Sequence, residues 1–307
     1  MPDATPEHGP DRTADTNAIA PTKAPMSPAA LTPPMTDPRV VSLAPSATAT
    51  LAAMDAADLL VGVTTHCEVP TAPERRGTGD ASPTRIGGWL NPDPERVAAL
   101  DPDLILTSDP LQADLAEEFR DRGHAVHHAE PATLDEVLDS FADLGAAVDR
   151  PAAGRDLRAR ARDRLDRVAD AVAPAVAECG RSVVYCEEWS DPPMAAGNWV
   201  PDAVRAAGGR YPFVDAGERS REVAGEVVEA ADPDHVVLHV CGRGERSDPE
   251  TVRSRDWDID APVHVVDDDL LNQPSPALID GVERLAELLH PVVDADRRIP
   301  PGADTDL

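Results

Sequence analysis

The sequence "VAALDPDLIL" occupies residues 97–106, and residues 228–238 read "VEAADPDHVVL". In each copy a helical segment ends at Asp-Pro-Asp and a run of Ile, Leu or Val follows. A single copy is typical of many helix-to-strand joints, because proline stops helices and such runs start strands. Each copy also has a glutamate seven residues before its proline, Glu95 and Glu226. The two copies together predict two similar α/β halves, with these glutamates in the first turns of equivalent helices.

The residues around the first copy support this prediction. Residues 39–54, "RVVSLAPSATATLAAM", predict a short strand, a loop at Ala44-Pro45, a helix N-cap at Ser46 and a helix rich in alanine. Further strands are expected at 59–65, 102–109 and 124–129, with helices between them. Alternation of strands and helices predicts a parallel sheet covered on both faces.

One long helix is predicted between the two halves, over residues 151–179. Its apolar residues recur at spacings of three and four, and Pro174 is the one position where it could be interrupted. At 1.5 Å per residue such a helix spans roughly 40 Å and can bridge two lobes. We therefore expect a leader at 1–37 that is disordered, an N-terminal lobe at 38–150, the linking helix, a C-terminal lobe at 180–292 and a loose tail at 293–307.

The second half repeats the α/β pattern with one longer connection. A strand is expected at 181–188, and residues 189–199, "WSDPPMAAGNW", are predicted to be a loop. A helix at 200–209, strands at 234–240 and 262–267 and a closing helix at 275–291 follow. The predicted fold is therefore two Rossmann-like lobes with central parallel sheets, joined by one rigid helix, with a ligand cleft between the lobes.

Length and charge limit the partners. A chain of 307 residues exceeds what one core usually holds. The formal charge of −29 argues against nucleic acid or an anionic membrane surface as the partner, because both would be repelled. Lys23 is the only lysine and aromatic residues make up 3% of the chain, which indicates a halophile, although an acidic protein of a mesophile is the alternative.

No export or membrane signal is evident in the sequence. The first 37 residues contain no apolar run and no cysteine for a lipid, and no stretch approaches 18 uninterrupted apolar residues. Four cysteines without CxxC spacing favour reduced thiols over disulfides. We expect a cytoplasmic monomer, or a cell-surface protein if the start is misassigned or the export route is unusual.

Four segments in this order resemble the cobalamin-binding branch of the periplasmic-binding-protein families that take up corrinoids and ferric siderophores. The segments are "VVSLAPSATATL" (40–51), "IGGWLNPDPERVAALDPDLIL" (86–106), "DPPMAAGNWVPDAVRAAGG" (191–209) and "NQPSPALIDGVERLAELLHP" (272–291). The resemblance, which runs from about residue 39 to 291, implies a ligand held between two lobes. It also implies that Glu95 and Glu226 face arginines of an ABC permease. The absence of an export signal departs from the family and leaves an intracellular carrier open.

The residues themselves also predict a cleft. Loops at the carboxyl ends of parallel strands meet at one edge, and ligands bind there. All four tryptophans of the chain are expected in or near such loops. Their large flat side chains, on two facing edges, would suit a large flat ligand, although a tryptophan more often closes a core. The candidate ligand-binding residues are Ser46, His66, Cys67, Trp89, Trp189, Gly197, Asn198, Trp199 and Asn272.

His66 and Cys67 are the candidates for metal or thiol chemistry. His66 could give an axial nitrogen to a corrinoid cobalt, but a metal site needs three or four groups and adjacent residues rarely reach one ion. No Gly-x-Ser-x-Gly elbow, phosphate-binding loop or dinucleotide fingerprint is present, so we expect no enzyme, no resident cofactor and no metal. The sequence predicts a corrinoid-binding protein of an ABC importer or an intracellular carrier. The alternatives are a ferric-siderophore or haem binding protein, or an enzyme that uses His66 and Cys67.

Overall fold

The computed structural model describes residues 37–69 and 82–290. Residues 1–36 of the predicted leader and the predicted tail at 293–307 lie outside the described residues. The described chain forms two α/β lobes, each built on its own five-stranded sheet. The predicted fold class is confirmed, while the predicted domain boundaries stay predictions.

The first lobe has a fully parallel sheet in the order β3-β2-β1-β4-β5. Its strands are β1 (Val40–Ser42), β2 (Leu60–Val63), β3 (Thr84–Arg85), β4 (Leu104–Ser108) and β5 (Val126–Ala129). Its helices are α1 (Pro45–Ala53), α2 (Pro94–Ala99), α3 (Ala113–Asp121) and α4 (Leu134–Ala147). Every residue of the central strand β1 is buried, as expected for a strand covered on both faces.

Helix α1 begins two residues earlier than predicted. Pro45 is the first helical residue and Ala44 is the N-cap, with an extended backbone and no side-chain cap. Proline is favoured at this position because it has no N–H group to leave unpaired. Ser46 is therefore not the N-cap but lies inside the first turn, which leaves its hydroxyl free for another role.

The predicted linking helix is present as α5 (Pro151–Cys179) between the two sheets. Pro174 does not interrupt it. Its buried stripe packs into one apolar core to which both lobes contribute, so the helix is held along most of its length. The buried apolar residues of this stripe are Leu157, Ala161, Leu165, Val168 and Val172.

The second lobe has a mixed sheet in the order β10-β9-β6-β7-β8. Its strands are β6 (Val184–Ser190), β7 (Pro193–Ala195), β8 (Arg221–Glu222), β9 (His235–Leu238) and β10 (Val263–Val265). Its helices are α6 (Val200–Ala206), α7 (Gly225–Ala231), α8 (Glu250–Arg253) and α9 (Ala277–Leu289). Strands β6, β9 and β10 are parallel, and β7 and β8 pair in antiparallel fashion.

Strand β7 corrects the prediction that residues 189–199 are a loop. The chain reverses after β6, so that Trp189 pairs with Met194 and Ser190 pairs with Pro193. Proline is tolerated here because Pro193 is the first residue of β7. The reversal places the end of β6 and the following residues next to the cleft.

The two Asp-Pro-Asp sequences form the same joint. Asp101 and Asp232 both have a positive φ, 45° and 47°. Asp232 is the C-cap of α7, and Asp101 follows the C-cap residue of α2. The carboxylate of Asp103 accepts the backbone N–H of Arg39 at 2.7 Å, just before β1. The carboxylate of Asp234 accepts the backbone N–H of Val183 at 2.7 Å, just before β6. In both lobes the last aspartate therefore fixes the start of the central strand.

Candidate functional site

The carboxyl ends of the strands of both lobes approach each other and define a cleft. Glu188, which is the fifth residue of β6, lies close enough to Asp109 of the first lobe to be perturbed by its charge. Asp269 of the second lobe is perturbed in the same way by Glu68 of the first. Pro274 of the second lobe lines a small cavity whose other walls belong to the first. The cleft predicted at this edge therefore has the loops of both lobes as its walls.

Gln112 organises the first-lobe wall. Its side chain is fully buried and its amide donates to the carbonyls of Leu43 at 3.1 Å and Trp89 at 2.6 Å. Its carbonyl accepts the backbone N–H of Ser108 at 2.8 Å. One side chain thus ties together the loops after β1, β3 and β4, which fixes the backbone that carries Trp89. The sequence gives no sign of this role.

Trp89 lies on that wall as a half-buried residue. The turn before it depends on Gly87, whose φ of 112° and close approach to the backbone of Asn91 and Pro92 leave no room for a side chain. The close backbone approach at Gly87 is therefore made within the chain itself. The contact of Trp89 with a ligand stays a prediction.

His66 and Cys67 point in different directions. Cys67 is only 2% exposed, its thiol lies 3.1 Å from the Thr64 hydroxyl, and it packs into the large core. His66 is exposed. Arg85 donates to the carbonyls of Thr64 and Cys67 at 2.6 and 2.7 Å and so holds this loop in place.

This arrangement does not join the imidazole and the thiol into one reactive pair. Over residues 37–69 and 82–290, no group of three or more His, Cys, Asp and Glu side chains could hold a metal ion. The predicted ligand contact of Cys67 is not supported, because its thiol faces the core. His66 remains able to reach a ligand.

The two tryptophans predicted for the second lobe differ. Trp189 is 48% exposed at the end of β6 and its indole N–H donates to the Asp191 carbonyl at 2.8 Å. Trp199 is 5% exposed, and its indole N–H donates to the Leu271 carbonyl at 2.7 Å inside the core. Trp199 therefore packs in the core of this structure, and its contact with a ligand stays a prediction.

Gly197 and Asn198 serve the backbone of the second lobe rather than an open surface. A side chain at Gly197 would collide with the backbone of residues 218–220. Asn198 has a φ of 51° and its backbone bonds to Gly217 and Glu218. These contacts anchor the loop at 215–220, whose Ser220 hydroxyl accepts the N–H of Gly197 at 2.8 Å.

Asn272 holds a buried histidine. Its amide donates to the His239 carbonyl at 3.0 Å, and its carbonyl oxygen bonds to Nδ1 of the same residue. Burial lowers the pKa of His239 to about 4, so the ring is neutral at neutral pH. Its Nε2 is buried without a hydrogen-bond partner among the described residues. Asn272 thus positions His239 at the carboxyl end of β9, and its own contact with a ligand stays a prediction.

Carboxylates dominate the electrostatics of the cleft. Burial raises the pKa of Glu188, with a further contribution from Asp109, while a hydrogen bond from Ser220 acts in the opposite direction. Burial also raises the pKa of Asp269, as do the charges of Asp268, Asp267 and Glu68. Both walls therefore carry negative charge toward the same space, and this space favours a neutral or cationic ligand over an anion.

A buried ion pair supports the second-lobe wall. The guanidinium of Arg255 binds both oxygens of Glu187, at 2.6 and 2.9 Å, and Glu187 is fully buried. Glu187 also accepts bonds from Tyr185 and Ser190. Arg255 lies over the ring of Trp257, 4.5 Å from its centre. These contacts fix the residues on either side of Glu188 and Trp189.

Glu95 and Glu226 occupy equivalent places. Each is the second residue of its helix, α2 or α7, and each is exposed. Neither forms an ion pair with another described residue. Their placement as two matching acidic positions on the two lobes agrees with the predicted geometry, while contact with a permease stays a proposal.

In the part of the chain that is described, none of the helices combines the length and the apolar character needed to cross a membrane. The predicted cytoplasmic location, the monomeric state and the halophilic origin stay predictions.

The sequence and the fold are similar to those of known binding proteins. The chain is 28% identical over 265 residues to a "Cobalamin-binding protein" of Halobacterium salinarum, covering 82% of this chain and 69% of that protein. The crystal structure of the periplasmic vitamin B12 binding protein of Vibrio cholerae matches with a TM-score of 0.63 at 22% identity, over 84% of this chain and 98% of that one. The periplasmic heme-binding protein of Roseiflexus sp. RS-1 in its apo form matches with a TM-score of 0.66 at 22% identity, over 84% and 100%.

These two structures share the fold with the chain, and their different ligands show that the fold alone does not select one. The family model described as "Periplasmic binding protein" matches residues 40–257, a span that includes both sheets up to β9 and the long helix between them. The proteins named above are binding proteins rather than enzymes. The chain belongs to the periplasmic binding protein family.

Proposed function

We propose that this protein binds a corrinoid, a cobalamin-like ligand, in the cleft between its lobes, and that it serves an ABC importer or carries the corrinoid inside the cell. The observation that carries this choice of ligand is the approach of carboxylates from both lobes, Asp109 to Glu188 and Glu68 to Asp269. Haem has two propionates and many ferric siderophores are anions, so this cleft repels them. The peripheral groups of cobalamin are mostly neutral amides, which carry no such penalty.

The tyrosines give a second reason to prefer a corrinoid over haem. Haem iron can be held by a tyrosine phenolate. The chain has two tyrosines, Tyr185 and Tyr211, and both hydroxyls are used inside the second lobe. Tyr185 donates to Glu187, and Tyr211 donates to the Ala196 carbonyl at 2.8 Å. Burial raises the pKa of both phenols, so neither supplies a phenolate to the cleft.

Calorimetric titration of the purified protein tests the proposal directly. Cyanocobalamin is expected to bind with a Kd of about 1 µM or below, which corresponds to about −8 kcal/mol. Haemin and a ferric hydroxamate chelate, titrated under the same conditions, are expected to bind at least about tenfold more weakly because of the charge of the cleft. Tighter binding of either iron ligand, or no binding of cyanocobalamin, would show that the proposed ligand is wrong.

Trp189 provides the site test. Removal of an aromatic anchor at an interface costs about 2 kcal/mol or more, so Trp189→Ala is expected to weaken cyanocobalamin binding by about 30-fold. Val227→Ala is the matched control, because Val227 is similarly exposed, at 51%, but lies on α7 beside Glu226. Equal affinities for the two variants would remove Trp189 from the ligand site.

We also propose that Glu95 and Glu226 dock an ABC permease. Their equal positions in α2 and α7 present one carboxylate from each lobe, and no described cation neutralises either. A partner with one cationic residue opposite each carboxylate would be attracted at both lobes, which favours both the rate and the orientation of docking.

A charge reversal tests docking separately from ligand binding. The double variant Glu95→Lys, Glu226→Lys is expected to abolish corrinoid uptake by cells that carry the cognate permease, while the calorimetric Kd for cyanocobalamin stays unchanged. Glu178→Lys is the control, since Glu178 is an exposed glutamate at the end of α5. Normal uptake with the double variant would contradict the docking proposal and leave the ligand proposal in place.

A further inference from the structure

The small cavity at the base of the cleft lies against the first turn of α1. The room open to the centre of a water molecule is about 20 Å³, enough for one water or for the head of a small polar group. Its lining includes Ser46 and Ala47 of α1, Ser108 at the end of β4, His127 of β5 and Pro274 of the second lobe. Both lobes therefore enclose it, and it opens where a ligand held in the cleft would lie.

Two serine hydroxyls in this cavity have no partner. Ser46 is 7% exposed and Ser108 is 6% exposed, and neither hydroxyl makes a hydrogen bond within the described residues. Neither oxygen is among the fully buried polar atoms without a partner in the described chain, so both hydroxyls are open to the cavity. The two serines come from different elements of the lobe. Both hydroxyls are therefore available to a group that enters the cavity.

The first turn of α1 adds donors to the same place. The first bond of this helix runs from the N–H of Thr48 to the Ala44 carbonyl at 3.1 Å. The N–H groups of Ser46 and Ala47 precede it and find no acceptor in the described chain, since Ala44 provides no side-chain cap. A hydrogen-bond acceptor in the cavity would receive these donors.

His127 adds a hydrogen-bond acceptor to the donors of α1. Its ring makes no hydrogen bond with another described residue, and burial lowers its pKa, an effect that Asp143 partly opposes and His128 reinforces. A neutral imidazole has one donor and one acceptor nitrogen. The cavity thus offers donors at α1, hydroxyls that donate or accept, and a ring that can accept. No lysine or arginine is among its described lining residues to hold an anion, and Asp143 lies near His127.

We propose that this cavity, formed by Ser46, Ala47, Ser108 and His127, is a subsite for one primary carboxamide at the rim of the ligand. The amide carbonyl accepts from the first turn of α1 and from the Ser46 hydroxyl, and the amide NH2 donates to His127 and Ser108. A carboxylate in the same place would have no proton to give and would face the charge of Asp143. The subsite rests on the proposed corrinoid function and deepens it, because it makes the protein select ligands whose rim is amidated.

Corrinoids with one altered rim group test the subsite. Mild hydrolysis of cyanocobalamin yields isomeric derivatives in which a single carboxamide has become a carboxylate. For the wild-type protein, one isomer is expected to bind at least about tenfold more weakly than cyanocobalamin, because a site built around hydrogen bonds rejects an analogue that leaves them unmade. The other isomers are expected to lose less affinity, because their altered group lies outside the cavity.

Serine variants locate the effect. Ser46→Ala and Ser108→Ala are each expected to weaken cyanocobalamin binding by about three- to tenfold, as for one lost neutral hydrogen bond, and to reduce the discrimination against the sensitive isomer. Ser140→Ala is the matched control, since Ser140 lines the same cavity but its hydroxyl already donates to the Val137 carbonyl at 2.7 Å. Thermal melts establish that each variant is folded.

The outcomes separate the two proposals. If every isomer binds the wild type as cyanocobalamin does, if a carboxylate isomer binds more tightly, or if the serine variants keep full affinity and discrimination, the subsite is wrong while corrinoid binding stands. If the wild type binds no corrinoid at all, both proposals are wrong.

Discussion

The central strands of the two sheets, β1 and β6, meet the cleft with different chemistry. After β1 the contacts are neutral: the Ser42 hydroxyl donates to the Ala44 carbonyl at 2.9 Å and accepts from the Thr48 hydroxyl at 2.9 Å. At the end of β6 the buried Glu187 is held by Arg255 from a distant loop. The first wall is therefore held by hydrogen bonds between residues close in sequence and has unpaired N–H donors at the start of α1. The second wall is held by the ion pair of Glu187 and Arg255.

This difference suggests a division of roles. Local bonds within residues 42–48 leave the first turn of α1 free to receive a ligand group, as the unpaired Ser46 illustrates. The pair of Glu187 and Arg255 satisfies itself, with bonds from Tyr185 and Ser190 as well, and so has no capacity left for a ligand. The first lobe then supplies polar recognition, and the second supplies a rigid platform for Trp189 and Glu188.

The largest effect that this comparison predicts is at Arg255. Arg255→Met leaves the Glu187 carboxylate buried and without its cation, which is expected to reduce the free energy of unfolding by about 3–5 kcal/mol. Denaturant unfolding, followed by far-UV circular dichroism, measures the loss. No single substitution at the end of β1 is expected to reduce the free energy of unfolding as much, because the hydrogen bonds there join neutral groups.

A control for this prediction lies two residues earlier. Arg253 pairs with Glu250 at 3.0 Å, but both side chains are more than half exposed. Arg253→Met is expected to cost less than about 1 kcal/mol. Comparable losses for the two variants would mean that burial of Glu187 does not set the strength of this wall.

The sequence was sufficient for features that repeat or recur at regular spacing. Two Asp-Pro-Asp joints and an apolar stripe along α5 predict the lobes and the helix between them, because each pattern follows from the geometry of helices and strands. The core position of Trp199 could not be read from the sequence for a physical reason: an indole suits a core as well as a ligand surface, and its partner, the carbonyl of Leu271, lies 72 residues away.

Other site residues could not be predicted because their partners are remote in sequence. Gln112 bonds to the Leu43 carbonyl across 69 residues, and Arg255 reaches Glu187 across 68. A single glutamine or arginine has no periodicity that would reveal such a bond. The unpaired state of Ser46 and Ser108 is likewise visible only once the elements that surround the cavity are assembled.

The smaller effects are expected at the joint that the lobes share. Asp103→Ala removes the acceptor of the Arg39 N–H, and Asp234→Ala removes the acceptor of the Val183 N–H, with the same 2.7 Å distance in both lobes. Both aspartates are exposed, but Arg39 is exposed while Val183 is buried, so water replaces the lost carboxylate less readily in the second lobe. We expect losses in the free energy of unfolding of about 1 kcal/mol for Asp103→Ala and about 2–3 kcal/mol for Asp234→Ala.

The isosteric variants Asp103→Asn and Asp234→Asn isolate the cause. An asparagine side-chain oxygen still accepts the N–H, so each is expected to retain more stability than its alanine counterpart, with the larger recovery at Asp234. Urea unfolding of the four variants gives the comparison. Equal losses at the two joints would show that geometry alone determines their contribution. A greater loss at Asp234 would show that identical bonds differ in strength because the second lobe buries the donor that the first leaves in water.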